Sequence, residues 1–458
     1  MSTGEDALAQ PPVLPAYQQV GLNAPIDFGN HAIELSVSGK AHRCAADVKL
    51  LFGRKADLRI ALDTSDLDPS LVIQLSLDES WDGKVRFIDR GIDVDTFCIG
   101  GPGVQLVPRG SGFISTQTNK PLCKALAHLF NFPTFNDRVS GDYLLQTGSE
   151  TAKGCRVCGR TRLVDNGWCI DVVETEHAAS SEAELKKAGG YALTHVVEIK
   201  REDDTAFVAD ELQDTLRRLQ HFLSFATGRW VGLAFPVAYD EEGDIAFEEW
   251  GTRVACPDHW VAGHSWFDVN HGELLGEVFP GFCTLASLPG WRERLHEVLW
   301  WYAAANERGP TITTDMAIVL AQAALELLAW LHCVEAKGMV SKDAFKPSGL
   351  RASDKLRLLA TSLGVPKEIP QELDKFAAIK PKPFADAPHA ISELRNATVH
   401  PDPKRALPDG IWYQGWRLSM WYLDLIFLAL CGHNGKYANR LSKRWVGQLE
   451  SVPWAKPS

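Results

Sequence analysis

The sequence lacks a long apolar run that is free of charge. Its two most apolar stretches, residues 316–336 and 411–431, contain Glu326 and Asp424 among other polar residues. A membrane-spanning helix needs about 20 consecutive residues nearly free of charge. We therefore expect no membrane partner.

The first residues also lack the features of a secretory signal. Residues 1–17 have neither a basic cluster nor an apolar run, and they include Glu5 and Asp6. A secretory signal needs both a positive segment and an apolar segment. We interpret residues 1–20 as a disordered lead-in.

The ten cysteines lack the regular spacing of a disulfide framework. Several of them stand inside apolar runs, where a reduced cysteine behaves as a small buried hydrophobe. These are Cys98, Cys169, Cys333 and Cys431. The pattern predicts reduced thiols and a cytoplasmic protein.

The chain has a shortage of positive charge overall, but not everywhere. Its net charge of −11 taken alone argues against nucleic acid, since phosphate binding is largely electrostatic. From Lys346 onward, however, there are 17 Lys and Arg against 10 Asp and Glu, whereas the first 345 residues have 30 against 48. A basic end on an acidic chain favours nucleic-acid contact there and a different task for the acidic part.

The periodicity of apolar residues predicts an α+β multidomain chain. Residues 21–150 alternate apolar and polar positions, which predicts a β-rich domain, either a sandwich or a strongly curved sheet. The predicted strands include residues 32–37, 57–62, 71–77 and 85–88.

Residues 151–289 predict a mixed α+β module. Asn166-Gly167 between two alternating runs indicates a hairpin. Ser181, with Glu184 three residues later, predicts the start of a helix that ends at Gly189-Gly190. A strand over 192–199, a helix over 207–227 and a β segment over 230–250 follow.

Residues 290–458 predict an all-α bundle with short connections. The expected helices are 291–306, 314–336, 353–363, 370–379, 387–399 and 412–431.

The fifth of these helices carries the residues best suited to chemistry. Arg395-Asn396-x-x-x-His400 is followed by Pro401, and the residue before a proline is pushed out of the helical conformation. Asn396 and His400 share one face, but Arg395 and His400 diverge by about 140° on an ideal helix. They converge only if the last turn unwinds or the arginine side chain sweeps round.

This motif resembles the R-polar-x(3–5)-H motif of the HEPN superfamily. The order of elements is similar too, with a Glu-containing apolar helix (Leu325-Glu326-Leu327-Leu328), a basic connector, the motif helix and a long final helix. The whole layout also resembles large bacterial anti-phage HEPN proteins of the ApeA-like type, which place a β-rich region first.

The resemblance implies a HEPN-like bundle that forms a homodimer and cleaves RNA without a metal or cofactor, as a toxin or anti-phage effector. The expected catalytic residues are Arg395, Asn396 and His400. Histidine exchanges protons near neutral pH, and arginine matches two phosphate oxygens. RNA-backbone contacts are expected from Lys375, Lys380, Lys382, Lys404 and Arg405. A phage-derived or cellular trigger is expected to act on the amino-terminal region.

Other interpretations of these residues stay open. Arg395 and His400 have a structural role if the bundle only dimerises or binds a partner. The Glu198-Ile199-Lys200 strand, with Asp171 upstream, resembles the E-x-K strand of metal-dependent nucleases. Cys155 and Cys158, with Cys169 and His177, have half of a zinc-site pattern, but the second tight pair is missing.

Overall fold

The α+β fold class predicted from the sequence is confirmed in a computed structural model, with a β-rich start, a mixed middle and a helical end. The chain divides into two units. The β-rich unit comprises Met1–Thr134, Ser140–Gln220 and Val231–Val261, and the helical unit comprises Phe135–Val139, His221–Trp230 and Ala262–Ser458. The structure describes residues 13–37, 39–53, 56–77, 82–99, 103–109, 113–116, 119–137, 157–251, 259–307, 312–346, 348–379, 384–400, 407–442, 445 and 447–455, with the backbone alone at 82, 113, 157 and 158.

Six strands of the β-rich unit close into a barrel in the order β1-β2-β3-β6-β5-β4. They are β1 Ile26–Val37, β2 Lys40–Phe52, β3 Ala56–Leu62, β4 Asp82–Phe87, β5 Ile92–Ile99 and β6 Gln105–Pro108. The first strand pairs with β2 from Ile26 opposite Leu50 onward, and it closes the barrel where Ile33 faces Phe87. The strongly curved sheet is therefore the correct alternative, and the sandwich is wrong.

One predicted strand is a helix. Residues 71–77 lie in α1, Pro69–Leu77. The Asp68 carboxylate accepts a hydrogen bond from the Ser70 backbone N–H at 2.7 Å, which starts the helix. Leu71 and Leu75 are both buried, and their spacing of four is helical. A run this short fits both the two-residue period of a strand and the 3.6-residue period of a helix. The hydrogen bond from Ser70 to Asp68 favours the helix.

A second sheet of seven strands has the order β11-β12-β13-β8-β14-β15-β7. The strands outside the barrel are β7 Phe113–Ser115, β8 Lys124–Phe130, β9 Asn136–Asp137, β10 Val157–Cys158, β11 Arg160–Asp165, β12 Trp168–Glu174, β13 Leu193–Arg201, β14 Gly232–Tyr239 and β15 Ile245–Gly251. The predicted hairpin is confirmed, since Asn166 and Gly167 have φ of 48° and 74° between β11 and β12. Positive φ at both positions is what this tight turn requires.

The helices of this middle region are α2 Ala178–Ala188 and α3 Ala209–Thr227. The predicted start of α2 at Ser181 is wrong, because the helix begins three residues earlier, after His177. Its predicted end is confirmed at Gly189, which has φ of 66°. Glycine adopts such a conformation without a side-chain penalty.

Seven α-helices begin within the helical unit among the described residues. They are α4 Glu273–Ala286, α5 Trp291–Asn306, α6 Thr314–Ala329, α7 Ala352–Leu363, α8 Asp374–Ala378, α9 Ala387–Val399 and α10 Ile411–Leu430, followed by strands β16 Lys436–Tyr437 and β17 Glu450–Ser451. The helix predicted over 314–336 changes to a π-helix at Trp330–Ala336, and the one predicted over 370–379 is only five residues long. The sequence did not predict α4.

The stretch Thr314–Ala336 is long and apolar enough to cross a membrane, but 67% of its most apolar window is buried inside the protein. Such burial is typical of a core helix, which agrees with the expectation that it does not span a membrane. The expected burial of the cysteines is confirmed where they are described, since Cys98, Cys169, Cys333 and Cys431 are buried and in no disulfide.

Candidate active site

The motif helix α9 has a well-defined start. The Asp386 side chain accepts a hydrogen bond from the His389 backbone N–H at 2.9 Å, and Pro388 stands in the first turn. Arg357 holds the same carboxylate through two hydrogen bonds of 2.5 and 3.0 Å. Burial alone would raise the pKa of Asp386, but the bonds from Arg357 and His389 outweigh it and lower the pKa. The helix therefore begins on an ionised cap.

The end of α9 unwinds at the residue predicted from Pro401. Val399 is the last helical residue, and His400 has φ of −126° and ψ of 73°. The His400 backbone N–H still donates to the Asn396 carbonyl at 2.7 Å, while the His400 side chain is exposed. The exposed His400 side chain therefore lies at the carboxyl end of α9.

The structure connects Arg395 to Asn396 and not to His400. Arg395 Nη1 donates to Asn396 Oδ1 at 3.3 Å, and Asn396 Nδ2 donates to Glu393 Oε1 at 3.5 Å. Among the described residues, no hydrogen bond joins Arg395 or Asn396 to the His400 ring. Within one chain, Asn396 therefore positions the guanidinium and does not orient the histidine. Arg395 is half-buried.

Three helices meet behind the motif. A Cβ on Gly415 of α10 would overlap Leu394 of α9 and lie 3.4 Å from Ile318 of α6, so only glycine allows this approach. We call this region the motif end of the bundle. It comprises the start of α6, the end of α9 and the start of α10.

The motif end exposes apolar side chains. Met316, Val399 and Tyr413 are 51%, 43% and 46% exposed, and each comes from a different one of the three helices. Exposed apolar residues on three adjoining helices are candidates for contact with another molecule. Arg395 and His400 therefore share their end of the bundle with candidate contact residues.

One of the predicted RNA-backbone residues lies at this end. Lys375 is exposed, its backbone N–H donates to Gln414 Oε1 at 2.8 Å, and its Cε lies 3.8 Å from a Cβ built on Gly410. Its ammonium group is therefore beside the start of α10. The other predicted residues lie outside the described part of the chain: Lys380, Lys382, Lys404 and Arg405.

Sequence reasoning missed a buried charge cluster inside the helical unit. Lys355 is 7% exposed, and its Nζ lies 3.4 Å from Glu326 Oε2 and 4.6 Å from the Phe345 ring centre. Gln322 Nε2 donates to Glu326 Oε1 at 2.9 Å. The spacing of four between Gln322 and Glu326 placed both on one face of α6, but no sequence pattern connected them to Lys355.

The Asp171 carboxylate, considered above as a metal ligand, is already bound by two arginines. Asp171 is buried, and both of its oxygens accept hydrogen bonds of 2.8 Å from Arg162, with a third from Arg160. Burial raises the pKa of Asp171, but these two guanidinium groups outweigh it and lower the pKa. The ionised carboxylate is paired with arginine, which leaves it poorly placed as a metal ligand.

The other two members of that set have partners as well. Glu198 stands directly opposite Asp171 on the neighbouring strand, and its Oε2 lies 3.7 Å from Lys124 Nζ. Lys200 Nζ lies 3.7 Å from Asp204 Oδ1. Within the described ranges, no group of three or more His, Cys, Asp or Glu could hold a metal ion.

The candidate zinc ligands fall partly outside the structure. Cys155 and the side chain of Cys158 lie outside the described residues. Cys169 is buried in β12, and burial raises the pKa of its thiol, so it does not favour the thiolate that binds zinc. His177 is exposed ahead of α2.

Two family models match the chain. Residues 288–451 match the YopA C-terminal domain, and residues 117–261 match the YopA central domain. The SPbeta prophage-derived uncharacterized protein YopA of Bacillus subtilis (strain 168) is 31% identical over 302 residues, which cover 65% of this chain and 66% of that protein. The similarity therefore spans just under two thirds of the relative's length. No solved structure matches the chain.

Proposed function

We propose that the protein is a metal-independent endoribonuclease of the HEPN type. The observation that carries this proposal is the placement of Arg395 and His400 near the carboxyl end of α9, where the helix unwinds and the His400 side chain is exposed. A buried or helix-packed histidine would not reach a phosphodiester. This placement is what the chemistry requires of the motif.

The reaction needs only proton transfer and charge stabilisation. His400 takes the proton from the RNA 2′-hydroxyl, whose oxygen attacks the adjacent phosphorus. The bond from phosphorus to the 5′-oxygen breaks, and that oxygen gains a proton from the second histidine of a dimer. Arg395 stabilises the charge that develops on the phosphate oxygens. The products are a 2′,3′-cyclic phosphate and a 5′-hydroxyl.

A homodimer formed through the motif end would supply that second histidine. Met316, Val399 and Tyr413 offer apolar contact area beside the motif, as an interface core requires. Lys375 adds a positive charge at the same end for the RNA backbone. Two copies joined there would present two arginines and two histidines to one phosphate.

The biological role proposed is that of a cytoplasmic toxin or anti-phage effector. Two observations support it: the layout resembles anti-phage HEPN proteins, and a similar protein is prophage-derived. The acidic amino-terminal region, with 30 Lys and Arg against 48 Asp and Glu over the first 345 residues, would repel RNA. Its task would be to restrain the nuclease or to sense a phage-derived or cellular trigger.

A second candidate is a dimerisation or binding module without catalysis. The hydrogen bond from Arg395 to Asn396 favours it, because the guanidinium already has a partner within its own helix. In that case the exposed apolar residues of the motif end would carry the function, and substitution of His400 would change nothing.

Growth under induced expression tests the proposal. The parent protein is expected to slow growth, and Arg395→Ala and His400→Ala are each expected to abolish the effect, since each removes one chemical role. His177→Ala and Arg294→Ala are the matched controls, because both residues are exposed and lie outside the motif. If both motif variants are as toxic as the parent while remaining folded, the proposed site is wrong.

A further inference from the structure

Two histidines meet where the last turns of α3 pack beside α5. The Nδ1 atom of His296 on α5 lies 3.4 Å from the Nε2 atom of His221 on α3. The two ring centres are 5.6 Å apart, and the ring planes are inclined at 45°. Both residues belong to the helical unit and neither belongs to the motif of α9, so the proposed nuclease function leaves this pair unexplained.

The separation of the two ring nitrogens matches that of two ligands on one metal ion. A hydrogen bond from an N–H group is usually about 2.7 to 3.2 Å long. A tetrahedral Zn²⁺ ion holds imidazole nitrogens at about 2.0 to 2.1 Å, which places two such nitrogens about 3.3 to 3.4 Å apart. The observed 3.4 Å from His296 to His221 lies at the long limit of a hydrogen bond and within the metal range.

The indole of Trp230 orders both imidazoles. Its ring centre lies 5.3 Å from that of His296, with the planes inclined at 35°, and 6.3 Å from that of His221. Trp230 and His221 are 8% and 4% exposed, so packing restricts both side chains. Ligands that are ordered before the metal arrives lose less conformational entropy when it binds.

A metal ion can reach the pair from solvent, because His296 is exposed. Within the described ranges, no third His, Cys, Asp or Glu completes a metal-binding group with these two residues, so water molecules would fill the other positions. The first turns of α5 contain two arginines and two glutamates whose formal charges cancel: Arg292, Glu293, Arg294 and Glu297. The charge of these turns therefore does not oppose a cation.

We propose that His221 and His296 bind a divalent transition-metal ion, with Zn²⁺ as the best fit to the observed spacing. Imidazole nitrogen is a preferred ligand of zinc, copper and nickel ions. The ion would link α3 to α5 and stabilise the helical unit, since metal binding by the folded state adds to folding free energy. It would take no part in the proposed RNA cleavage, because neither histidine lies at the motif end.

Isothermal titration of the EDTA-treated and dialysed full-length protein with Zn²⁺ tests the proposal. The parent is expected to bind a zinc ion that His296→Ala binds at least about tenfold more weakly, because one of the two protein ligands is lost. His296 is exposed, so its replacement should leave the fold intact. His221→Ala removes the other ligand and should have the same effect. His177→Ala, at an exposed histidine of the other unit, is the matched control and should bind as the parent does.

Thermal unfolding gives a second measurement. Zinc at about ten times its Kd should raise the unfolding temperature of the parent by about 3 °C and leave that of His296→Ala unchanged. No zinc binding by the parent, or equal binding by the parent and His296→Ala, overturns the proposal.

The nuclease proposal stands or falls separately. Binding of zinc through His296, together with RNA cleavage that EDTA does not affect, supports both proposals. If cleavage requires zinc and is lost in His296→Ala, the metal site stands and the metal-independent mechanism does not.

Discussion

Two buried carboxylates of this protein, Asp424 and Asp171, are each paired with arginine, yet their pKa values shift in opposite directions. Asp424 and Arg440 are both buried, joined by hydrogen bonds of 2.6 and 3.0 Å, and Tyr302 donates to the same carboxylate at 2.7 Å. Burial outweighs these partners and raises the pKa of Asp424. At Asp171 the two arginines prevail over burial, and the pKa is lowered. The balance between burial and the hydrogen-bond partners decides the direction of each pKa shift.

Replacing Asp171 with alanine should destabilise the β-rich unit by about 2 to 4 kcal/mol, since the change leaves two arginines without their shared anion. Because its folded pKa is lowered, Asp171 stabilises the protein above the unfolded value of about 3.9 and loses that contribution as the pH falls further. Urea unfolding at pH 7 measures the loss. Asp66→Ala, at an exposed carboxylate of the same unit, is the control and should be near neutral. Equal stability of both variants would contradict the account.

Helix and strand bounds were predictable where local signals agree. The bounds of α5 and α9 match the sequence prediction, because Gly290 and Asp386 precede them and a proline follows His400. The hairpin at Asn166-Gly167 was predictable for the same reason. Local chemistry alone specified these elements.

Other elements depended on contacts that no local pattern contains. Pro280 and Gly281 lie inside α4 and hid that helix from sequence reasoning. The barrel closes because β1 pairs with β4, about fifty residues later in the chain. The alternation of apolar and polar residues predicts strands but does not indicate which distant strands pair. At the candidate site, Pro401 allowed the end of α9 to be predicted from the sequence. The hydrogen bond from Arg395 to Asn396 and the buried position of Lys355 beside Glu326 could not be predicted from any local pattern.

Packing of α4 on the end of α10 depends on Gly281. A Cβ at this position would overlap the backbone carbonyl of Cys431, which has no freedom to move away. Gly281→Ala should therefore destabilise the helical unit by about 3 kcal/mol, despite the better helix propensity of alanine. Thermal unfolding of this variant beside Thr284→Ala, an exposed residue of the same helix, checks the claim. A Gly281→Ala protein as stable as that control would contradict the packing.

The two units are expected to respond differently to acid. Burial lowers the pKa of His128 to about 4 and of His195 to about 3, and both lie in the β-rich unit. The unfolded chain binds their protons from about pH 6.5 downward while the folded unit does not, so stability falls with pH. Between its unfolded and folded pKa values, each histidine should lower the free energy of unfolding by about 1.4 kcal/mol for every pH unit of acidification.

Hydrogen exchange at pH 7 and pH 5, corrected for the intrinsic rate, measures this difference. Peptides from β8 and β13 should lose more protection than peptides from α10, where burial raises the pKa of Asp424 and acid does not destabilise the fold through this carboxylate. Earlier loss of protection in α10 would contradict the assignment of these shifts.

The whole account depends on whether Arg395 and His400 cleave RNA without a metal. The direct measurement is mass spectrometry of the RNA ends after incubation with the full-length protein in EDTA. We predict 2′,3′-cyclic phosphate and 5′-hydroxyl ends from the parent, and intact RNA from His400→Ala. The same ends from both proteins, or cleavage by the parent only when a divalent metal is added, would contradict it.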